Sequence, residues 1–476
     1  MLNKSKNIFI GFAIIMMAIS GCTPKINQKS TNLPVPEKYN TSLDSNNLAK
    51  ISWQEYFSDP FLKVLIDSAL NNNQELNITL EELYIAKNEV RARKGEYLPF
   101  LGIQAGSETE KVGRYTSKGA NDANTEIKLG LETPDPLPDF RLNAYSTWEL
   151  DVWRKLRNAK KAALTRYLSS IEGKNFMVTN LIAEVANSYF ELLALDNELE
   201  IVNQNIQIQN NALKIVKLQK EATHVTELAV KRFEAQVLNT TNLQYAIKQE
   251  ITEAENRINF LLGRFPQQVL RNSGSFVSLI PNMVYSGIPI HLLENRTDVR
   301  QAELDLVAAK LDIKVAKASF YPSLGISAGI GLHAFSPSLL LMTPQSLEYK
   351  LAGDLIAPLI NRSAIKAIYL NANAKQIQAV YNYEQTVLRA YMEVVNQLAK
   401  VNNLESSYNL KAQEVQALNK SVDISNSLFR SARADYIEVL LTQREALEAK
   451  FELVETKKQQ MNAMVDIYQA LGGGWD

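Results

Sequence analysis

The sequence predicts a mainly α-helical chain with a β-barrel portion, built from two tandem copies of one unit. Three observations carry that prediction. Residues 97–106, YLPFLGIQAG, return 223 positions later as FYPSLGISAG at 320–329. Two very long proline-free stretches show helical spacing. No stretch after the N-terminus is apolar enough to span a bilayer as a helix, so a membrane crossing would need a closed barrel.

The N-terminus comes first. Lys4 and Lys6 precede an apolar run from Ile8 to Ile19, too short to span a bilayer core of roughly 30 Å. Ile19-Ser20-Gly21-Cys22 follows. A basic start, a short apolar core and small residues form a secretory signal peptide, here residues 1–21. A cysteine directly after the cut resembles the bacterial lipobox, which implies acylation of Cys22, the chain's one cysteine. Thr23, rather than aspartate, leans towards the outer membrane. The mature chain then reads as an N-terminal extended or equatorial segment (22–70), a first repeat (71–265), a linker (266–295) and a second repeat (296–476).

Charge is balanced, 51 Lys and Arg against 51 Asp and Glu, so nothing points to a nucleic-acid partner. One cysteine allows no intrachain disulfide.

Each repeat opens with a helix. Val299, Ala302, Leu306, Ala309, Ile313 and Ala316 step by three and four, and Leu304, Ala308, Leu311, Val315 and Ala318 form a second seam beside them. Two seams mean two neighbours. Pro322 ends this helix, as Pro99 does in the first copy. A strand follows: Leu324, Ile326, Ala328, Ile330 and Leu332 alternate with Gly325, Ser327, Gly329 and Gly331. These glycines lack dinucleotide-loop spacing, and no helix opens after them. A second strand alternates Leu347, Tyr349 and Leu351 with Glu348 and Lys350, matched in the first copy by Phe140, Leu142 and Ala144 against Arg141 and Asn143.

The proline-free runs from Asp139 to Phe265 and from Leu359 onward repeat at an offset of 209. Glu184, Val185 and Asn187 fall on Glu393, Val394 and Asn396, and Val230 on Val439. Folded once, each run would make a hairpin reaching roughly 80 Å at about 1.5 Å per residue. Four strands per chain cannot close a barrel in lipid. Two chains would supply eight strands and three would supply twelve. Eight leave an interior filled by side chains, so a conducting barrel favours three.

Further motifs resemble the TolC-like outer membrane efflux factors, NodT-type lipoprotein branch. Trp53-Gln54-Glu55-Tyr56-Phe57-Ser58-Asp59-Pro60-Phe61-Leu62 is similar to the family's W-x-x-x-F-x-D-P-x-L. Trp148-Glu149-Leu150-Asp151-Val152-Trp153 is similar to its W-E-L-D-φ-W, and Arg296-Thr297-Asp298 to its R-P-D. Leu471-Gly472-Gly473-Gly474-Trp475 matches the L-G-G-G-W ending. The resemblance implies a homotrimer: a 12-stranded transmembrane β-barrel in the outer membrane and a periplasmic α-helical tunnel. It implies docking onto a periplasmic adaptor protein that serves an inner-membrane pump of resistance-nodulation-division or ABC type. It also implies that the hairpin tips, Thr223, His224, Val225 and Thr226 in one copy and Ala432, Arg433, Ala434 and Asp435 in the other, meet the adaptor. Glu438 falls where relatives can carry an acidic residue lining the constriction, with Arg430 and Arg433 as nearby pairing partners.

Departures from the pattern are Thr297 in place of proline, Arg154 in place of glycine, Ala229 in place of aspartate, and tips without glycine. A catalytic role is not expected. His224, His291 and His333 lie far apart, and no phosphate loop, nucleophile elbow or H-E-x-x-H is present, so no cofactor or metal is implied. The rival expectation is a structural periplasmic coiled-coil lipoprotein without transport. It accounts for the helices but not for the alternating strands.

Overall fold

A computed structural model describes residues 23–32, 34, 36, 51–274, 276–279, 289, 291–431 and 433–475. The signal peptide read over 1–21, the acylation residue Cys22, the stretches 37–50 and 280–288, and Ala432 lie outside the described residues.

The first copy contains short helices α1 (Trp53–Tyr56) and α2 (Pro60–Asn72), then α3 (Gln74–Tyr97) and strand β1 (Phe100–Glu110). A loop follows, with helix α4 (Ser117–Asp122) and the small hairpin of β2 (Glu126–Lys128) and β3 (Leu131–Glu132). Strand β4 (Leu137–Leu150) leads into long helices α5 (Lys155–Glu221) and α6 (Glu227–Leu261). The second copy has α7 (His291–Asn295), α8 (Thr297–Ala318), β5 (Ser323–Ala334), α9 (Pro337–Leu340), β6 (Leu347–Ile356), α10 (Ser363–Arg430) and α11 (Tyr436–Ala470). No helix among the described residues is long and apolar enough to cross a membrane.

The duplication is written in the element boundaries. Gln74 and Thr297 open equivalent helices and Phe100 and Ser323 open equivalent strands, both at the offset of 223. Glu227 with Tyr436, and likewise Leu261 with Ala470, keep the offset of 209.

The chain forms two compact units. One comprises the described residues up to Ser30, Tyr84–Leu168 and Leu304–Tyr381, and holds the sheet. Its strands run in the order β1-β4-β5-β6, all neighbours antiparallel. The other comprises Thr31–Leu83, Ser169–Glu303 and Asn382–Asp476. Its main core includes Tyr189, Leu192, Leu193, Ile258, Ile467 and Leu471.

The expected hairpins of two similar arms are corrected. In each copy one arm has 67 or 68 residues and the other has 35. At about 1.5 Å per residue these are near 100 Å and 50 Å. The short arm stops because another helix starts against its end. Asn73 Nδ2 donates to Leu261 O at 2.9 Å, while Asn73 Oδ1 accepts from Leu76 N and caps α3. Gly263, at φ +63°, passes so close to Asn72 O that a Cβ would meet it at 2.3 Å.

The opening motif is structural. Asp59 caps α2 by accepting from Phe61 N, and its other oxygen accepts from Tyr189 Oη at 2.7 Å. Tyr56 stacks on Tyr468 with ring centroids 4.1 Å apart, a contact worth about 0.5–1.5 kcal/mol beyond burial. Thr297 occupies the first position of α8, where proline also fits because that N–H needs no helical partner.

Candidate functional site

Strand register sorts the sheet's side chains onto two faces. Leu101 and Ile103 of β1, Leu142 and Ala144 of β4, Ile326 and Ile330 of β5, and Tyr349 and Leu351 of β6 share one face. That face is bare: Ile103 is 81% exposed, Tyr349 82% and Leu351 79%. A continuous exposed apolar face fits lipid rather than water. The opposite face carries Gln104, Arg141, Asn143, Ser327, Lys350 and Asp354 among the glycines.

At its loop end the polar face is tied together across all four strands. His333 lies between two carboxylates, with Nε2 2.6 Å from Asp139 Oδ1 and Nδ1 3.2 Å from Glu348 Oε2. Arg141 donates to Glu108 at 2.7 Å and sits 3.5 Å from Asp139. Each ring nitrogen of His333 meets a different carboxylate. Among the described residues no group of three or more His, Cys, Asp or Glu is arranged to hold a metal ion. Sequence spacing could not find this cluster, because its members are scattered from Glu108 to Glu348 and meet only through strand pairing.

The W-E-L-D-V-W segment turns β4 into α5. Asp151 accepts from the amides of Leu156 (3.0 Å) and Arg157 (2.9 Å) and caps the helix. Trp148 Nε1 donates to Tyr97 O and Trp153 Nε1 to Pro322 O, so one motif holds the helix–strand junctions of both copies. Arg154 has φ +59°, which explains why glycine suits that position. Close by, Ile26 packs against Ile313, Phe320 and Tyr369, Gln376 donates to Lys29 O at 2.8 Å, and Lys29 Nζ lies 3.6 Å over the Tyr381 ring. The segment following Cys22 is thereby laid along α10 next to the strands.

The hairpin tips lie at 222–226 and 431–435. At the first, Thr223 N donates to Lys220 O and His224 N to Gln219 O. This is the Schellman pattern, and its left-handed residue is Thr223 at φ +62°, a position usually held by glycine. The second tip repeats the outer bond, Arg433 N to Leu428 O at 2.9 Å. The adjoining helices share a small core of Val216, Val230, Phe233, Phe429 and Val439, against which Val225 packs. Val225 is therefore partly spent on the core, while Thr223, His224, Thr226 and Arg433 are exposed and Ala434 is half-buried. Asp435 caps α11 by accepting from Ile437 N, so it has a structural duty as well. Ion pairs Lys220–Glu227 and Lys217–Glu234 (3.1 Å) join the arms of the first tip. The Lys220 ammonium holds the Glu227 carboxyl below its ordinary range.

Glu438 is exposed on the first turn of α11. Among the described residues neither Arg430 nor Arg433 forms an ion pair with it, so the suggested pairing is not made within one chain. The sequence reading missed the apolar residues beside the tips. Leu228 is 56% exposed, and Ile437, its equivalent in the second copy, is 37% exposed.

The sequence profile described as "Outer membrane efflux protein" matches residues 65–264 and 289–473. The chain is similar to the pyoverdine export outer membrane protein OpmQ of Pseudomonas aeruginosa, 26% identical over 99% of this chain and 97% of that protein. It is similar at 26% to the cation efflux system protein CusC of Escherichia coli O6:H1, over 97% of each. Its fold matches the open-state crystal structure of the Neisseria gonorrhoeae MtrE outer membrane channel with a TM-score of 0.82 at 20% identity, over 96% of this chain and 98% of that one.

Proposed function

The chain belongs to the outer membrane efflux protein family, and from that premise we propose that it is the outer-membrane channel of a tripartite efflux or type I-like export system. Three copies pool their strands into a twelve-stranded barrel. The long helices extend into the periplasm, where the tips meet an adaptor that serves an inner-membrane pump. The observation that carries this reading is the sheet: apolar on one face, polar on the other, with the outer edges of β1 and β6 unpaired among the described residues. A coiled-coil lipoprotein would have no use for such a sheet.

In this reading residues 1–21 are removed and Cys22 carries the lipid anchor in the outer membrane. The path of residues 26–29 beside the base of the strands supports it. Thr223, His224, Val225, Thr226, Arg433, Ala434 and Asp435, with Ala432, form the docking tips, and Glu438 lines the constriction. The two repeats, 71–265 and 296–476, supply alternate sectors of the tunnel wall. The channel performs no catalytic step, and its pump is of resistance-nodulation-division or ABC type. Relatives of similar identity are named for pyoverdine export and cation efflux, so the cargo follows the pump rather than the channel.

The test is conductance of the purified, acylated protein in planar bilayers, together with its mass in detergent. Stable trimers with discrete conductance steps are expected. A monomer that forms no pore would overturn the reading.

A further inference from the structure

Barrel closure leaves one question open: in which register do the free edges meet? The internal repeat answers it. Phe100 pairs with Thr147, and Ser323 with Ile356. Strands β1 and β5 are thus equivalent at an offset of 223, and β4 and β6 at 209. Between the copies, β4 pairs with β5 so that Arg141 faces His333. Moving β4 forward by 209 gives β6, and moving β5 back by 223 gives β1.

We propose that β6 of one copy pairs antiparallel with β1 of the next copy in this repeated register. Lys350 then stands opposite Glu110 of the next copy, Ala352 opposite its Glu108, and Asp354 opposite its Gly106. The proposal rests on the trimeric channel reading and adds the residue pairing.

The chemistry of the edges agrees. A slip of one residue would put the polar face of β6 against the apolar face of β1. The repeated register keeps polar with polar. Lys350 is the equivalent of Arg141, whose guanidinium is held by Glu108 and Asp139. Lys350 itself has no ion pair within its chain among the described residues, and the seam supplies a carboxylate directly across. Among the described residues, Glu110 is ion-paired in its own chain only from the loop side, by the exposed Lys118. Glu108, the acid a two-residue slip would offer to Lys350, is already bound by Arg141. Opposite charges facing each other across a strand pair stabilise it, and like charges oppose it.

Cysteine cross-linking decides the register. Gly106→Cys with Asp354→Cys places two thiols directly across the seam, and the space around Gly106 is open enough for a side chain. Gln104→Cys with Asp354→Cys and Glu108→Cys with Asp354→Cys test slips of two residues either way. In full-length acylated trimers under mild oxidation, the first pair should give covalent dimers and trimers on denaturing gels, several-fold faster than either slipped pair. Faster cross-linking by a slipped pair overturns the register while leaving the ring intact. No cross-linking by any pair in a protein that remains trimeric overturns the seam. A protein that is monomeric before oxidation overturns the channel reading beneath it. As a second readout, Lys350→Glu should lower the temperature at which the trimer dissociates, and adding Glu110→Lys should restore it.

Discussion

Asn73 donates its side-chain amide to the backbone carbonyl of Leu261, and at the equivalent place in the second copy Arg296 donates to the carbonyl of Ala470 at 3.1 Å. Equivalent positions with different chemistry thus make the same joint, where a short helical arm ends and another helix begins. The joints differ in what else they hold. Arg296 is buried and also binds Asp298 through two nitrogens, at 2.9 and 2.7 Å, and Glu393 at 2.6 Å. Asn73→Ala should cost about 2 kcal/mol, the loss of one cap and one hydrogen bond. Arg296→Ala leaves the mostly buried Asp298 carboxylate without its cation, while Glu393 is open to water, and should cost about 3 kcal/mol. Thermal melting of both variants in detergent checks the order.

Thr223 holds a left-handed conformation that a β-branched residue adopts at a cost of roughly 1–2 kcal/mol. Thr223→Gly should relieve it. Hydrogen exchange at the amides of Thr223 and His224 should slow, since both bond back into α5. Faster exchange would mean that the threonine side chain supports the turn.

Burial pushes the Glu198 carboxyl up to about 7 from 4.5; Lys458 opposes that shift, and Glu250 and Glu455 add to it. The native state therefore holds a proton that the unfolded chain has released between pH 4.5 and 7. Stability should be greatest below that window and fall as pH rises through it. Glu198→Gln should flatten the dependence and raise the melting temperature at pH 8. An unchanged pH profile would show that Glu198 ionises without cost.

Glu438→Ala should weaken cation preference and block by multivalent cations in single-channel recordings, because three copies around one axis would form an acidic ring. Unchanged conductance, selectivity and block would remove Glu438 from the constriction.

Much of the fold was legible because the sheet imposes a period of two and the helices a period near 3.6, and duplication wrote each signal twice. The alternation of Leu324, Ile326 and Ile330 with glycines maps directly onto the two faces. The tips carry neither glycine nor proline and were placed only through the family resemblance, and hairpin length gave no hint that α3 and α8 abut the short arms. That joint depends on Asn73 reaching the distant carbonyl of Leu261. The bond from Tyr189 to Asp59 and the His333 cluster were hidden for the same reason. The β2–β3 hairpin is too short to establish a period, with three residues in one strand and two in the other. Thr223 reads as a missing glycine, because sequence shows the residue and not its φ.

The loop joining β1 to β4 runs from 111 to 136, and the loop joining β5 to β6 only from 335 to 346. The excess in the first loop equals the gap between the two repeat offsets, 223 and 209, so the copies diverge in length only there. Around a ring of three chains, the strands and the long helices would follow one another as six nearly interchangeable sectors. At the far rim, bulky and compact loops would alternate, and the apparent sixfold order would drop to threefold. The length of that one loop can therefore change without disturbing the periodicity on which the rest of the wall depends.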